Sequence, residues 1–297
     1  MSDNNARSFS DILIANCSSA YFSIVEPIIL RYQRFKNEHK YKIKNTNPLI
    51  TVCIPTYNRG PILIERAVKS VLSQTYQNFE LMIVGDHCTD DTQELVSKID
   101  DDRIKFFNMP SRARKYKTSV ENHWYVGGAV PANMAMKLAS GLWIARVDDD
   151  DTWTSDHLEK LLKFAEDGDY EFVSALYEKE ENGKRVISPV NRAKSEYYTR
   201  KPSPLNDSSP YIGGVSTWLK RSYLSSMKYN QNCWRKKWNK VWDIDLVMRI
   251  YSSGARIGFL NEVVSFVLPR PGETSVGLQA YKETEKEKLE HYKFEKN

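Results

Sequence analysis

The sequence predicts an α/β fold with a mostly parallel central sheet and helices on both of its faces. Residues 49–54 and 81–84 form continuous apolar, β-prone runs, which are typical of strands buried on both faces. Between them, apolar residues recur at helical spacing over residues 64–72. Such alternation of strand and helix predicts a parallel sheet, whose ligands gather beyond the carboxyl ends of the strands.

The elements that follow keep this alternation up to the middle of the chain. We expect a short helix from Asp90, a weaker strand at residues 103–107 and a helix over residues 131–139 that Gly141 ends. The next apolar run, residues 142–147, predicts a strand that leads directly into four consecutive aspartates.

Downstream of the aspartates the pattern becomes less regular. A helix is predicted over residues 155–165 and a strand over residues 171–177, which leads to a turn at residues 181–184. Residues 188–212 are polar and rich in Pro and Ser, so we expect a long loop of the kind that often forms a functional lid. The remaining expected elements are a helix after Trp242, strands around residues 256–268 and a charged helix or tail over residues 282–297.

Residues 1–46 are expected to form an N-terminal helical extension. It is polar at first and then carries a helix over residues 26–39. Its most apolar stretch, residues 21–30, is interrupted by Glu26 and Pro27, so we expect neither a secretory signal nor a membrane span.

The composition limits the function classes. The chain has 297 residues and 41% hydrophobic content, which is enough to bury a sizeable core. A net charge of +5, from 43 basic and 38 acidic residues, argues against nucleic acid as a partner and leaves open an attraction to membrane surfaces. The four cysteines show no C-x-x-C spacing, which suits a reducing compartment and therefore a cytoplasmic location.

The run of four aspartates is the most informative feature of the chain. Alternation along a strand sends Asp148 and Asp150 to the same side, where two carboxylates can bind one hard divalent ion, Mn²⁺ or Mg²⁺. We expect Asp149 to point the other way and to support Arg146 or the fold. Asp151 stays open between supporting the ion, contacting substrate and capping a helix. The alternative for the whole run is a solvated acidic turn that caps the following helix.

Four segments resemble the motifs of family 2 glycosyltransferases, which have the Rossmann-like GT-A fold. They are P-T-Y-N-R at residues 55–59, D-H-C-T-D-D-T at 86–92, G-G-A-V-P-A-N-M-A at 127–135 and D-D-D-D at 148–151. Ala132 stands where arginine is common in the family. The resemblance covers roughly residues 48–277. It implies a GT-A domain with a nucleotide-sugar-binding half at residues 47–151 and an acceptor-binding half at residues 152–277, followed by a charged helix or tail at residues 278–297.

The resemblance also implies a set of nucleotide-binding and metal-binding residues. The nucleotide contacts would be Pro55, Thr56, Tyr57, Arg59, Asp86, Asn133, Asp148 and Asp149. Asp148 and Asp150 would hold Mn²⁺ or Mg²⁺ as the cofactor. Two local alternatives stay open, because Tyr57 could be simple packing and Asp86 could cap a helix.

Residues 242–249, W-D-I-D-L-V-M-R, are similar to the family's E-D-x-D-L-x-x-R segment. The resemblance implies that Asp243 is the catalytic base that removes the proton from the acceptor hydroxyl. Trp242 stands where an acidic residue is common. An N-cap is the alternative role for Asp243, and we expect Asp245 to pair with Arg249 four residues later.

Other residues are candidates for contacts with the donor diphosphate or the acceptor. Arg270 belongs to a segment similar to a family loop that closes over the donor, and Gly214 belongs to one that borders the acceptor. Asp151 and Trp242 join this group. The basic run at residues 112–117 either reaches the diphosphate or forms a solvated face.

Four tryptophans alternate with basic residues in the second half of the chain. They are Trp218, Trp234, Trp238 and Trp242. A wall of the acceptor site, a membrane contact, single-stranded nucleic acid binding and core packing are all consistent with this pattern.

The resemblance implies a metal-dependent, inverting glycosyltransferase of the hexosyltransferase type, acting in polysaccharide biosynthesis. Its donor is a nucleotide-diphosphate sugar, with a UDP-sugar favoured, and its acceptor is a hydroxyl of a glycan or glycolipid. A peripheral membrane surface and a homo-oligomer remain open as partners. The alternatives are a sugar-phosphate nucleotidyltransferase, which the lack of a Gly-rich phosphate loop argues against, and a catalytically inactive glycan-binding protein of the same fold.

Overall fold

A computed structural model describes residues 8–43, 47–112, 116, 119–188, 212–235, 241–277 and 280. It confirms the α/β fold, with a mostly parallel central sheet, helices on both faces and an N-terminal helix.

In the described part of the chain, nine strands form one sheet. In chain order they are β1 (Ile50–Thr56), β2 (Phe79–Gly85), β3 (Ile104–Asn108), β4 (Trp143–Arg146), β5 (Asp151–Trp153), β6 (Phe172–Glu181), β7 (Lys184–Ser188), β8 (Trp218–Arg221) and β9 (Ile257–Val267). Across the sheet the order is β3-β2-β1-β4-β8-β6-β9-β5, and β7 pairs with β6.

The half of the sheet that contains β1 to β4 is parallel, as predicted. Every residue of β1 and of β2 is buried, which explains why their sequences are largely apolar without alternation. In the other half, β8 runs antiparallel to both β4 and β6, whereas β9 runs parallel to β6. The short strand β5 pairs with β9 in the antiparallel direction.

The helices lie between the strands and at the N-terminus. They are α1 (Phe9–Asn37), α2 (His39–Lys42), α3 (Gly60–Ile62), α4 (Lys69–Leu72), α5 (Thr92–Ser97), α6 (Val120–Val126), α7 (Ala129–Leu138), α8 (His157–Asp167) and α9 (Trp242–Ser252). A π-helical segment, Leu63–Val68, joins α3 to α4 without a break.

Helices cover both faces of the sheet. Successive side chains of a strand such as β1 point to opposite faces, and on both faces these side chains are apolar and packed against helices. Ile50, Val52 and Ile54 pack in one apolar cluster with α8 and the π-helical segment. Cys53 points to the other face and packs in a cluster with α7. A further cluster beside β8 joins α1, α7 and α9, so the N-terminal helix shares a core with the second half of the domain.

The N-terminal helix is longer than predicted. α1 begins at Phe9 rather than near residue 26, so the predicted start of the helix was wrong. Ser8 caps the helix by accepting a 3.1 Å hydrogen bond from the backbone N–H of Asp11. The hydroxyl of Ser18 donates to the carbonyl four residues earlier, which allows a serine-containing run to remain helical.

This helix also bears on the membrane prediction. Within the described residues, α1 is long and apolar enough to cross a membrane, judged by length and composition alone. The sequence predicted no membrane-spanning segment here, because Glu26 and Pro27 interrupt the apolar stretch. By length and composition alone, that prediction does not hold. Both residues lie inside one continuous helix.

Other predicted elements differ mainly at their ends. The strand predicted at residues 171–177 continues to Glu181, and Asn182 and Gly183 then form the predicted turn with φ angles of 51° and 70°. One long strand, β9, stands where several were expected. Most of the predicted lid loop and almost all of the predicted C-terminal tail lie outside the described residues.

Candidate active site

A cleft of about 470 Å³ opens at the carboxyl ends of the central parallel strands. Its walls come from the segments that follow β1, β2 and β4, from the first turn of α9 and from the loop after β9. This is the edge of an open α/β sheet at which ligands bind. Every site residue that the sequence predicted lines the cleft, except Asn133.

The four aspartates after β4 alternate in exposure. The side chains of Asp148 and Asp150, which line the cleft, are 37% and 22% exposed. Asp149 and Asp151 are buried. The run therefore presents two accessible carboxylates to the cleft and places the other two in the protein interior.

The buried aspartates hold neighbouring segments in place. Asp149 accepts a 2.7 Å hydrogen bond from the hydroxyl of Thr56 and a 2.8 Å hydrogen bond from Arg59. Asp151 accepts a hydrogen bond from the hydroxyl of Ser216. Burial, reinforced by the adjacent carboxylates, raises the pKa of Asp151 well above its usual range. These contacts fix the loop after β1 and the turn before β8 against the acidic run.

Arg146 pairs with Asp148 and not with Asp149, so of the two roles expected for Asp149 the structure shows support of the fold. Its guanidinium donates a 2.7 Å hydrogen bond to Oδ1 of Asp148. The pairing follows from strand geometry, because residues two apart project to the same side. The guanidinium carbon also lies 4.2 Å from the centre of the Trp242 ring and 5.1 Å from that of Tyr229. Two aromatic faces and one carboxylate therefore surround this buried cation.

The acidic pair fits a metal ion only in part. Among the described residues, no group of three or more His, Cys, Asp or Glu side chains is placed to hold a metal. Asp148 and Asp150 supply carboxylate oxygens, the ligands that Mg²⁺ and Mn²⁺ prefer. Arg59 lies 3.4 Å and Arg270 3.7 Å from the carboxylate of Asp150. The two carboxylates would therefore hold a divalent cation only together with ligands from a bound diphosphate or from water, and the cation would share Asp150 with these two arginines.

The loop after β1 meets the turn after β2 beside the cleft. The guanidinium carbon of Arg112 lies 3.3 Å from the centre of the Tyr57 ring, and its Nε donates a 3.2 Å hydrogen bond to Asp86. The backbone N–H of Thr89 donates to the side-chain oxygen of Asn58, which joins the two segments directly. A ring and a carboxylate therefore stand close together, as stacking and hydrogen bonding to a nucleotide require.

The structure excludes the capping alternative for Asp86 and places Asn133 away from the cleft. Asp86 does not cap the following helix, because Asp90 accepts the hydrogen bonds from the backbone N–H and the hydroxyl of Thr92. Asn133 lies outside the cleft. Its amide donates to the backbone carbonyl of Tyr229 at 3.0 Å and accepts from the N–H of the same residue at 2.8 Å. A nucleotide contact by Asn133 is not supported by this position.

Asp243 lies in the first turn of α9, beside the acidic run. Val241 occupies the N-cap position, so Asp243 is not the cap. Its carboxylate accepts a 2.7 Å hydrogen bond from the N–H of Ile244. Burial raises the pKa of Asp243 to about 6, against the opposing charge of Arg146. A carboxyl group with such a pKa suits a general base at neutral pH.

The helix that carries Asp243 is also tied to the N-terminal helix. Asp245 pairs with Arg249 at 2.7 Å, as the four-residue spacing predicts. Arg249 in turn pairs with Glu26 of α1. α9 therefore connects the cleft at its first turn with α1 at its last turn.

The tryptophans mostly pack in the core. Trp218, Trp234 and Trp242 are buried, and Trp238 lies outside the described residues. Of the three described, Trp242 lines the cleft. A Cβ atom at Gly128 would lie 2.5 Å from the Trp242 ring, so the close approach of α7 requires glycine at that position.

Several contributors to the site were not predicted. Arg66 donates hydrogen bonds to the backbone carbonyls of Asp150 at 2.9 Å, Leu268 at 3.1 Å and Pro269 at 2.8 Å. It therefore holds the acidic run against the loop that carries Arg270. The sequence offered only a charged residue within an apolar helical pattern. Further cleft residues without a local signal include His123, Trp124, Tyr177, Lys179 and Glu273.

Comparison with protein families gives one match over more than half of the chain. The family model described as Glycosyl transferase family 2 matches residues 51–228. Among similar proteins, the Campylobacter jejuni GalNAc(5)-diNAcBac-PP-undecaprenol beta-1,3-glucosyltransferase is 28% identical over 187 residues, which are 62% of this chain and 55% of that protein. The Escherichia coli UDP-Glc:alpha-D-GlcNAc-diphosphoundecaprenol beta-1,3-glucosyltransferase WfaP is 35% identical over 118 residues, which are 40% of this chain and 41% of that protein.

Similar solved structures have the same fold. S. aureus TarS 1-349 in complex with UDP-GlcNAc matches with a TM-score of 0.54 and 20% identity, over 76% of this chain and 60% of that one. The mannosyltransferase PcManGT from Pyrobaculum calidifontis, in complex with GDP-Man and Mn²⁺, matches with a TM-score of 0.55 and 18% identity, over 89% of this chain and 70% of that one. The chain spans 21% to 55% of the length of the first curated relatives that it matches.

Proposed function

The chain belongs to glycosyl transferase family 2, and from that premise we propose that it is a metal-dependent, inverting glycosyltransferase. It moves a sugar from a nucleotide-diphosphate donor, with a UDP-sugar favoured, to a hydroxyl of a glycan or glycolipid acceptor. One observation carries this proposal. Two accessible carboxylates, a ring and a carboxylate suited to a nucleotide, and a half-buried carboxyl group of raised pKa all line a single cleft.

The nucleotide would bind where the loop after β1 meets the turn after β2. Tyr57 offers a ring face for the base, and Asp86 offers hydrogen-bond acceptors for the base or ribose. Pro55 and Thr56 shape the loop, which Arg59 and the buried Asp149 fix. The name of WfaP contains UDP-Glc, and the TarS structure contains UDP-GlcNAc, which supports a uridine nucleotide.

The diphosphate would lie against the acidic run. Asp148 and Asp150 would hold Mn²⁺ or Mg²⁺, and such an ion, when bound, stabilises the negative charge that accumulates on the departing diphosphate. Arg59 and Arg270 lie beside Asp150 and add positive charge at the same place. Asp151 supports the turn from the interior.

Asp243 would remove the proton from the acceptor hydroxyl. A pKa near 6 leaves the carboxylate largely ionised at neutral pH and makes it a stronger base than an exposed aspartate. Inversion requires attack from the face of the sugar opposite the diphosphate. Gly214 and Trp242 line the same cleft and would border the acceptor.

The acceptor is proposed to be carried by a lipid. The names of the Campylobacter jejuni and Escherichia coli relatives describe sugars linked to undecaprenol through a diphosphate. A lipid-linked acceptor of this kind would place the protein at the cytoplasmic surface of a membrane, in polysaccharide biosynthesis.

The decisive experiment measures transfer by the full chain from UDP-, GDP- and dTDP-sugars to diphosphate-linked lipid sugars, with and without Mn²⁺. We expect transfer from a UDP-sugar that requires the metal and gives a product of inverted anomeric configuration. Asp243→Asn should lower the rate by about 10³-fold, since general-base catalysis contributes at this level. The variant should still show the wild-type rise in Tm with UDP.

Asp167→Asn is a matched control, because this aspartate is exposed and pairs with Lys163 on the surface of α8. It should transfer at the wild-type rate. Full activity of Asp243→Asn would exclude Asp243 as the base. Release of pyrophosphate from a sugar phosphate and a nucleoside triphosphate would indicate a nucleotidyltransferase, and glycan binding without transfer would indicate an inactive member of the family.

A further inference from the structure

α1 carries most of the large apolar side chains that the described part of the chain exposes. Nine of thirteen such residues lie on it: Phe9, Ile12, Leu13, Ile14, Tyr21, Ile24, Ile28, Tyr32 and Phe35. The last five recur at steps of three and four residues, so they form one stripe along the helix. We call these five residues the outer face. It is about 21 Å long, from the helical rise per residue.

The inner side of α1 is held to the domain by ion pairs. Asp11 and Glu26 are buried, and the carboxylate that Arg34 meets is fully enclosed. The three pairs are Asp11 with Arg235, Glu26 with Arg249 and Arg34 with Glu171. A surface helix of a globular protein normally turns its apolar stripe inward and its ionic residues outward. In α1 these ionic residues face inward and an apolar stripe faces outward.

The charges that remain exposed around this stripe are of one sign. Over residues 9–43 the exposed ionic side chains are Arg31, Lys36, Lys40 and Lys42. The three acidic residues of the same stretch are turned to the domain, since Asp11 and Glu26 are paired as above and Glu38 pairs with Arg256 at 2.8 Å. A basic, apolar surface of this kind complements anionic lipid headgroups.

We propose that the outer face lies in the headgroup region of an anionic membrane, with α1 parallel to the membrane plane. A spanning orientation would withdraw Glu26 and Arg34 from their partners and move them into hydrocarbon, which is costly. A second copy of this chain on the same face would bring the basic residues of both copies into one symmetric interface. An anionic membrane offers acyl chains to the apolar stripe and negatively charged headgroups to the basic residues around it.

The helix that carries the outer face is connected to the cleft through α9. α9 carries Asp243 in its first turn and Arg249, the partner of Glu26, in its last turn. The two positions are about 9 Å apart along the helix axis. Binding of the outer face to lipid does not depend on the proposed reaction. Only the statement that it brings the cleft to a lipid-borne acceptor rests on the proposed function.

The test is co-sedimentation of the full chain with phosphatidylethanolamine vesicles that contain phosphatidylglycerol, without donor or acceptor. We expect the wild type to pellet with these vesicles and to bind less to phosphatidylcholine vesicles or at high salt. The triple variant Ile24→Gln/Ile28→Gln/Phe35→Gln should partition about 100-fold less, because it removes three membrane-inserted apolar side chains. Alkaline carbonate should release the bound wild type.

A matched control replaces three exposed apolar residues elsewhere, Phe107→Gln/Leu138→Gln/Ile187→Gln. It should bind vesicles as the wild type does. Circular dichroism checks folding, and if the outer-face variant unfolds, Lys36→Gln/Lys40→Gln/Lys42→Gln should reduce binding to anionic vesicles about fivefold for each charge removed.

Four results would overturn the proposal. They are a wild type that stays in the supernatant, an outer-face variant that binds normally, retention of the wild type after alkaline carbonate, and a lipid-free dimer that the outer-face substitutions convert to a monomer. The third result would indicate a membrane-spanning helix and the fourth a second copy as the occupant.

Discussion

Arg146 donates a 2.7 Å hydrogen bond to Asp148 from a fully enclosed position at the end of β4. The same guanidinium lies over the ring of Trp242 and counteracts the effect of burial on the pKa of Asp243. One buried cation thus acts on the carboxylate proposed for metal binding and on the carboxylate proposed as the base.

The first prediction concerns the pH dependence of transfer. Since burial raises the pKa of Asp243 to about 6, the base is protonated below this pH and ionised above it. We expect kcat/KM to fall about tenfold for each pH unit below 6 and to level off above 7. Rates measured from pH 5 to 8 check this, with UDP binding over the same range as the control. A flat profile would contradict it.

The second prediction concerns the charge of Arg146. Arg146→Gln removes the cation that favours the ionised form of Asp243, so the acid limb of the pH profile should move to higher pH. Arg146→Lys keeps the charge and should move it less. If Arg146 has a purely structural role, Arg146→Gln and Arg146→Lys should both lower the rate at every pH and leave the acid limb of the pH profile in place. That outcome would exclude the electrostatic role.

The third prediction concerns Arg66, which donates to three backbone carbonyls from the acidic run and the loop after β9. A lysine keeps the charge but cannot reproduce the planar fork of donors. Arg66→Lys should raise the KM for the donor about tenfold and change kcat less, because the loop with Arg270 loses its anchor. Steady-state kinetics with Arg185→Lys, an exposed arginine on β7, as the control measure this effect. An unchanged KM for the donor would show that Arg66 does not position the loop.

The fourth prediction concerns stability at mildly acidic pH. His157 is fully buried, and its ring stacks on that of Trp153 with 3.8 Å between the ring centres. Burial lowers the pKa of His157 from 6.5 to about 3. Below pH 6.5 the unfolded chain binds a proton at this histidine while the folded chain does not, so stability falls as the pH decreases. Between pH 6.5 and 5 this amounts to about 2 kcal/mol.

Urea unfolding at pH 7 and pH 5 measures the loss. His157→Asn retains a hydrogen-bond donor for the carbonyl of Val264 and should show a smaller difference between the two conditions. The exposed His39, replaced by Asn, is the matched control and should leave the difference as in the wild type. An equal loss in His157→Asn would mean that other groups cause it.

The parallel half of the sheet and most of the cleft could be predicted from the sequence. Runs of apolar residues define β1 and β2, and Asp86 and Asp148 follow strands, so their meeting at one edge depends only on the fold class. The contact of Arg66 with Asp150 and the partners of α1 could not be predicted, because they join residues far apart in the chain.

The length of α1 was underestimated for a local reason. The predicted start near Glu26 followed from the polar character of the first residues, and Ser and Asn in this stretch also lower intrinsic helix propensity. The cap by Ser8 and the packing of Leu30 into the core beside α9 outweigh that propensity. A local cap at Ser8 and the ion pair of Asp11 with Arg235 therefore stabilise the early start of this helix.

The ion pairs of α1 show that this helix belongs to the same folding unit as the α/β domain. Glu171 has no solvent exposure, and one of its cations, Arg34, comes from α1, as does the carboxylate of Glu26 that meets Arg249. A chain that begins at residue 47 would lack Arg34 and Glu26, so Glu171 and Arg249 would each lose one oppositely charged partner. Breaking such buried ion pairs lowers the free energy of unfolding. The first helix thus supplies opposite charges to buried groups of the α/β domain, and its removal would destabilise the remaining residues.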